Sequence, residues 1–304
     1  MRAFYEDLPK AELHLHLEGS MDYSVVRELD PGVTREEYES RYECSDFASF
    51  LEGFKWAVGL LRAPGDYALV ARRLLERLEA ENVRYAEITL SAGVVLRREH
   101  DFAAVWEAVR REAERSPVEV RWILDAVRQW GVEPAMQVAE LAAELRGEGV
   151  VAFGIGGKED EGPVEWFGGV FRFARERGLH VTAHAGETAG PESVWGAVRL
   201  GAERIGHGIA AARDPALLAH LRDNGIPLEI CISSNLATSA VACLRDHPVR
   251  RIYDAGVSIV LNTDDPAVFH TTLAREYELA AREFGFSESE LRGVIENGFR
   301  YAFR

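Results

Sequence analysis

Histidine and carboxylate side chains recur at matching positions along this sequence. His14 and His16 are two residues apart, a spacing that places both side chains on one face of a strand. His184 and His207 each follow a glycine by six residues, and Asp264 follows another glycine by eight. Zinc accepts imidazole nitrogen and carboxylate oxygen, so these residue types predict a metal site. For the His-x-His pair alone, a hydrogen-bonded histidine cluster is the alternative interpretation.

Two further carboxylates adjoin the candidate ligands. Glu187 lies three residues after His184, where it can act as general acid and base beside an activated water molecule. An acid in the first turn of the next helix is the alternative, because the helix dipole favours negative charge there. Asp264 and Asp265 can likewise open a helix before Pro266. In the functional interpretation, one of these two aspartates binds the metal and the other binds a ligand.

Glycines and short apolar runs indicate the elements that must position these residues. Helical patterns end at Gly178, Gly201, Gly225 and Gly256, and each glycine precedes a short apolar run. Strands that alternate with helices in this way indicate βαβ units and a parallel sheet. Eight strands are predicted, at residues 12–17, 83–90, 118–127, 150–155, 179–183, 204–206, 227–230 and 257–261.

Eight such units in 304 residues predict an α/β fold, the (β/α)8 TIM barrel, as a single domain over residues 1–304. An open, doubly wound sheet is the alternative topology. Roughly 65 residues separate the first two strands, which predicts extra helices near the N-terminus over the barrel mouth. Because the carboxyl ends of the strands meet at that mouth, we expect the candidate residues to converge there.

Composition excludes several classes of function. The 35 basic residues against 50 acidic ones give a net charge of −15, which repels nucleic acid and acidic membrane surfaces. The three cysteines form no Cys-x-x-Cys pair, and no apolar run has the length of a signal peptide or membrane span. A cytoplasmic protein without nucleic-acid or membrane partners is predicted. Residues 154–157 are glycine-rich but lack a dinucleotide fingerprint, so they suit a simple turn or the close approach of a flat ligand.

Five ordered blocks of the sequence resemble the adenosine deaminase family of metal-dependent purine aminohydrolases. The blocks are residues 9–20 (PKAELHLHLEGS), 184–187 (HAGE), 204–208 (RIGHG), 231–235 (CISSN) and 262–266 (NTDDP). The resemblance implies that one Zn²⁺ per chain is bound by His14, His16, His184 and Asp264. Zinc lowers the pKa of its bound water from 15.7 to about 7, so hydroxide is available at neutral pH.

The same resemblance implies roles for the remaining candidates. Glu187 would protonate N1 of the purine, and His207 would hold the attacking hydroxide, with Asp264 also counted among the catalytic residues. Substrate binding would fall to Asp265 at N7 and to the Gly157 backbone at N3, with His16 and Glu18 as further contacts.

Two departures from the family pattern bear on the substrate. Glu18 stands where adenosine-specific members usually carry an aspartate that reaches the ribose, and glutamate also occurs in adenine-specific relatives. The segment Gly-Ile-Gly-Gly-Lys-Glu at 154–159 replaces the common Asp-Leu-Ala-Gly-Asp-Glu. A similar glycine-rich segment occurs in relatives that deaminate 6-aminodeoxyfutalosine, a modified adenosine.

The resemblance therefore implies hydrolytic deamination at purine C6 of an adenine nucleoside, either adenosine or 6-aminodeoxyfutalosine, with release of ammonia. Three alternatives stay open. One is deamination of the free base adenine. A second is a binuclear amidohydrolase in which carboxylated Lys158 bridges two metals. The third is a catalytically silent nucleoside-binding protein. The sequence indicates no oligomeric state.

Overall fold

Eight parallel strands pair in chain order in the computed structural model, which describes residues 4–304. Each strand pairs in parallel with its successor, and the eight predicted strands are all present, with boundaries shifted by up to two residues. The strands are β1 (Lys10–His16), β2 (Val83–Leu90), β3 (Glu119–Val127), β4 (Val150–Gly156), β5 (His180–Ala185), β6 (Arg204–His207), β7 (Leu228–Ile230) and β8 (Ile259–Leu261).

The barrel closes between β1 and the residues that follow β8. A parallel bridge joins Leu15 to Asp264, whose carbonyl oxygen accepts a hydrogen bond from the His16 N–H at 2.8 Å. The Asp264 N–H donates in turn to the carbonyl oxygen of His14 at 3.1 Å. Barrel closure thereby brings three of the predicted metal ligands together. The TIM-barrel prediction is confirmed, and the open-sheet alternative is wrong.

Fifteen α-helices surround the strands or connect them within the described residues. They are α1 (Phe4–Asp7), α2 (Tyr23–Leu29), α3 (Arg35–Arg41), α4 (Phe47–Leu60), α5 (Pro64–Ala80), α6 (Ala92–Arg97), α7 (Phe102–Arg115), α8 (Val132–Glu144), α9 (Gly168–Glu176), α10 (Pro191–Arg199), α11 (Pro215–Asn224), α12 (Ile232–Ala237), α13 (Val249–Asp254), α14 (Leu273–Glu283) and α15 (Glu288–Arg300). None of these described helices is long and apolar enough to cross a membrane.

The helix ends follow from local backbone chemistry. Gly178, Gly201, Gly225 and Gly256 have φ angles of +79°, +86°, +65° and +84°, the left-handed region that side chains with a Cβ rarely adopt. Each glycine turns the chain from a helix toward the next strand. These four stops set where β5 to β8 begin, and so where their carboxyl ends deliver the candidate residues.

Helix α4 supplies the predicted cover over the barrel mouth. It begins at the cap residue Asp46, whose carboxylate accepts the Ser49 N–H in a capping box. Three phenylalanines of this helix, Phe47, Phe50 and Phe54, occupy one face at helical spacing and line the cavity above the strand ends. The connection between β1 and β2 thus forms the apolar side of the site.

Candidate active site

The four predicted metal ligands meet at the carboxyl-terminal rim. One ligand atom from each of His14, His16, His184 and Asp264 lies within 4.8 Å of the others, and all four residues are buried or nearly so. The Nε2 atoms of His16 and His184 are 3.2 Å apart. Nε2 of His14 is buried and makes no hydrogen bond within the described part of the chain, although Asp264 Oδ1 lies 3.3 Å away. Because a buried polar atom without a partner is costly, this convergence fits a bound divalent cation.

The electrostatics of this cluster favour a bound cation. Burial lowers the pKa of His16 to about 4 and lowers that of His184 well below its usual range, so both rings are neutral and can ligate metal. Burial also opposes protonation of His14, but the carboxylates of Asp264 and Glu229 outweigh it and raise the pKa of His14 to about 10. These carboxylates therefore favour positive charge at His14, which a bound cation would supply in place of the ring proton. The pKa of Asp264 is held well below its usual range by His14, against the effect of burial.

Acceptors behind the imidazoles orient the ligand nitrogens. Nδ1 of His184 lies 3.2 Å from the carbonyl oxygen of Ile155, and Nδ1 of His14 lies 2.8 Å from Glu229 Oε2. Each Nδ1–H donates away from the cluster, which directs Nε2 into it. Glu229 is itself fixed by the buried guanidinium of Arg204 at 2.6 Å, and Arg204 also pairs with Glu87. The barrel interior therefore supports the cluster from below with a buried ionic network.

Replacing Glu229 by glutamine is expected to weaken metal binding about 10–100-fold, the usual effect of losing such an orienting partner. A glutamine amide can accept from either His14 or Arg204, but its NH2 group then faces the other donor. The measurement is a competition between metal-free protein and a chromogenic chelator for Zn²⁺. The matched control is Glu203→Gln, because Glu203 also pairs with a histidine, His180, at 2.9 Å but far from the cluster. Equal zinc affinity in Glu229→Gln and the parent would contradict this role.

Glu187 lies beside the cluster on the loop after β5. Its Oε1 accepts from Thr238 at 3.2 Å, and its Oε2 is 3.6 Å from His207 Nε2. Burial, together with the nearby carboxylates of Asp264 and Glu159, raises the pKa of Glu187 to about 8. A carboxyl group with this pKa is protonated at neutral pH, which suits a proton donor.

Glu159 organises that loop, although no motif or spacing in the sequence predicts this role. Its carboxylate accepts backbone N–H groups from four consecutive residues, 186–189, and the hydroxyl of Ser193. Burial alone would raise its pKa, but Ser193, Arg128 and these amides lower it below the usual range. Glu159 is therefore an anion that holds the Glu187 backbone in place.

Asp265 lines the cavity next to the cluster. Its Oδ1 is buried with no hydrogen-bond partner among residues 4–304. Burial, and then the charge of Asp264, raises the pKa of Asp265 well above its usual range, so this side chain can present an O–H donor. Such a donor matches the acceptor nitrogen N7 of a purine.

Gly19 leaves the space that Asp265 occupies, so Gly19→Ala is expected to displace the Asp265 carboxyl. A Cβ at Gly19 would lie 1.6 Å from Asp265 Oδ1. We expect kcat/KM for deamination to fall roughly 10–100-fold, the scale of one lost hydrogen bond to substrate, while the metal stays bound. Steady-state kinetics with metal analysis tests this. Gly293→Ala is the control, because nothing lies within 4 Å of a Cβ there. Parental kinetics in Gly19→Ala would count against the predicted contact.

Of the other three predicted substrate contacts, His16 and Gly157 line the cavity and Glu18 does not. Gly157 lines the cavity with a φ of +96°, and a Cβ there would lie 2.3 Å from Gln129 Oε1, so only glycine keeps this backbone open. Glu18 is buried below Ser91, whose N–H donates to its Oε1, and its Oε2 has no partner in the described chain. Glu18 is not among the residues that line the cavity.

Two other candidate metal ligands differ chemically from the four-residue cluster. Lys158 is partly exposed and donates to Glu161 at 2.6 Å, and this hydrogen bond raises the pKa of Lys158, which keeps it an ammonium ion. Cys231 lies near His207 and Asp264, but burial raises the pKa of its thiol well above the usual range. The geometry therefore favours a site for one ion over a pair bridged by a carboxylated lysine.

A profile of the adenosine deaminase family matches residues 9–304. The chain belongs to the adenosine deaminase family. A protein of Streptomyces coelicolor named aminodeoxyfutalosine deaminase is 41% identical over 318 residues, which cover 100% of this chain and 82% of that protein. An adenine deaminase of Rhizobium leguminosarum bv. trifolii is 36% identical over 305 residues, covering 97% of this chain and 95% of that protein.

Solved structures share the fold. An amidohydrolase from Burkholderia ambifaria with bound Zn has a TM-score of 0.90 and 27% identity, and the match covers 99% of this chain and 87% of that one. The family resemblance predicted from the five sequence blocks is confirmed. The chain is accordingly a member of a family of deaminases, and the two relatives above are named for deamination of aminodeoxyfutalosine and of adenine.

Proposed function

We propose that this enzyme hydrolytically deaminates an adenine nucleoside at C6, with 6-aminodeoxyfutalosine as its substrate. The main support is the convergence of the four-residue cluster, Glu187 and Asp265 around one cavity. The 41% identity to an aminodeoxyfutalosine deaminase, over the whole chain, supports the choice of nucleoside. The glycine-rich segment 154–157 and the apolar cover from α4 are consistent with a purine that carries a further substituent.

A zinc ion held by His14, His16, His184 and Asp264 would lower the pKa of a water molecule, so that hydroxide would be available at neutral pH to attack C6. The protein side chains then orient the purine and move protons. Asp265 donates to N7, and the backbone at Gly157 approaches N3. Glu187 gives a proton to N1, which makes C6 electrophilic.

The proposed reaction needs no reactant other than the purine and one water molecule. The water oxygen bonds to C6, and the C6–N6 bond breaks in the tetrahedral adduct. Of the two water protons, one replaces the proton that Glu187 gave to N1 and the other leaves on N6 as ammonia. In this proposal the attacking oxygen lies beside His207 and Glu187, a placement supported by the distances from His207 Nε2 to Glu187 Oε2, 3.6 Å, and to Asp264 Oδ2, 3.9 Å.

Free adenine is the second candidate substrate. The 36% identity to an adenine deaminase and the glutamate at position 18 favour it. A base without a sugar needs no partner beyond the purine pocket, whereas in this proposal the sugar of a nucleoside would lie toward α4, which lines the same cavity.

Ammonia release from 6-aminodeoxyfutalosine, adenosine and adenine by the same zinc-loaded preparation tests the proposal. We expect the highest kcat/KM for 6-aminodeoxyfutalosine. A higher value for adenine or adenosine would reassign the substrate, and no turnover of any of the three would refute deamination by this site.

A further inference from the structure

We propose that Asn235 and His247 are positioning residues that hold His207 in the tautomer with its proton on Nε2. Both lie behind His207, away from the cavity lining, and all three side chains are buried. A series of hydrogen bonds runs from a backbone amide through His247 and Asn235 to His207 at the cavity. The position of each proton in this series follows from the one before it.

This series of hydrogen bonds starts at Val249, the first residue of α13, whose N–H has no partner inside its own helix. This N–H lies 3.2 Å from Nδ1 of His247 and can only donate, so Nδ1 must be the accepting nitrogen. Burial, and then the neighbouring His207, lowers the pKa of His247 to about 3, so the ring is neutral at physiological pH. The single ring proton of His247 therefore sits on Nε2.

Nε2 of His247 is 3.1 Å from the side-chain oxygen of Asn235. That contact fixes which way the amide points, because an N–H donor must face the oxygen and not the NH2 group. The NH2 group then faces His207, at 3.0 Å from its Nδ1. An NH2 group can only donate, so Nδ1 of His207 accepts.

A ring whose Nδ1 accepts a hydrogen bond is neutral, because a protonated imidazole carries a hydrogen on both nitrogens and cannot accept. With Nδ1 of His207 accepting, its proton must lie on Nε2, which faces one carboxyl oxygen each of Glu187 and Asp264. His207 thus offers a hydrogen-bond donor to the cavity and has no free ring nitrogen there to take a proton. If the proposed deamination is correct, this donor orients the attacking water, and another group must remove the proton.

The test is nitrogen NMR of the zinc-loaded protein labelled with ¹⁵N-histidine, since protonated and unprotonated ring nitrogens have well-separated shifts. A His207→Gln variant assigns the His207 signals. We expect an unprotonated Nδ1 and a protonated Nε2 in the parent. The opposite pattern overturns the proposal. Because this readout needs no turnover, an inert enzyme with the expected pattern would refute the proposed deamination alone.

Asn235→Asp should reverse the pattern, because a carboxylate at 235 can only accept and Nδ1 of His207 must then carry a proton. We expect kcat to fall by about 10²–10³, the effect of losing one preorganised donor, with KM and bound zinc unchanged. Asn297→Asp is the matched control, since Asn297 is a helix amide that donates to the Ile259 carbonyl at 3.0 Å, away from His207. Unchanged kcat and shifts in Asn235→Asp would contradict the proposal.

A second pair of variants decides the matter if Asn235→Asp does not fold. His247→Gln can place an N–H donor near Asn235 and should keep the parental shifts of His207. His247→Phe removes the donor, so the Asn235 amide can rotate and the two His207 tautomers should mix. Identical His207 shifts in His247→Phe and the parent would overturn the proposal.

Discussion

Glu187→Gln is expected to deaminate about 10²–10⁴-fold more slowly than the parent while it keeps its bound metal, because an amide of the same shape cannot donate the carboxyl proton to N1. The side chain is buried, and its hydrogen bond from Thr238 can be kept by the glutamine oxygen. The measurement combines kcat with zinc content for the purified variant. Glu192→Gln, five residues further on and exposed, is the matched control and should behave as the parent.

The pH dependence of kcat/KM tests the role of Glu187 independently. In the proposed mechanism the protonated form of Glu187 is the active one, so kcat/KM should fall as the pH rises through the pKa of Glu187. Burial and neighbouring carboxylates raise that pKa to about 8, and a bound divalent cation lowers it from there. The descending limb should be missing from the residual activity of Glu187→Gln. A variant with parental turnover, or with the same limb, would remove Glu187 from the proton transfer.

His184→Ala is expected to lose the metal, and with it nearly all activity. One of three imidazoles disappears from a cluster whose ligand atoms lie within 4.8 Å of one another. The loss of zinc affinity should exceed the roughly 10–100-fold typical of an outer partner such as Glu229. Metal content after dialysis and ammonia release on the same sample measure both effects.

His180→Ala is the control for that substitution, because His180 begins the same strand at the opposite end of the barrel. Its ring pairs with Glu203 and stacks on Phe303, so the variant loses a comparable set of contacts. We expect it to keep one zinc ion and its activity. Full zinc binding by His184→Ala would contradict the assignment of His184 as a ligand.

Local chemistry made the fold and the cluster predictable. Each glycine that ends a helix can be recognised from the residues next to it in the sequence. In a parallel barrel the carboxyl ends of all the strands lie at the same rim. The spacing of His184, His207 and Asp264 from those glycines therefore carried three-dimensional information. β2 was predicted with its observed bounds, because an apolar run between two clear helices leaves little freedom.

The supporting residues could not be predicted in the same way, because their partners are distant in the sequence. Glu159 accepts amides nearly thirty residues away, and Glu229 contacts His14 across 215 residues. A weak signal did exist: Glu229 and Glu87 are charged residues inside buried strands, where a carboxylate needs a partner. Asn235 and His247 act through hydrogen-bond direction, which no residue spacing encodes.

X-ray diffraction from zinc-loaded crystals, collected on both sides of the zinc absorption edge, locates the ion itself. We expect one anomalous peak per chain at about 2.0–2.2 Å from ligand atoms of His14, His16, His184 and Asp264. No peak at this cluster, or a second metal peak of equal strength bound by Lys158, would contradict a single-ion centre built from these four residues.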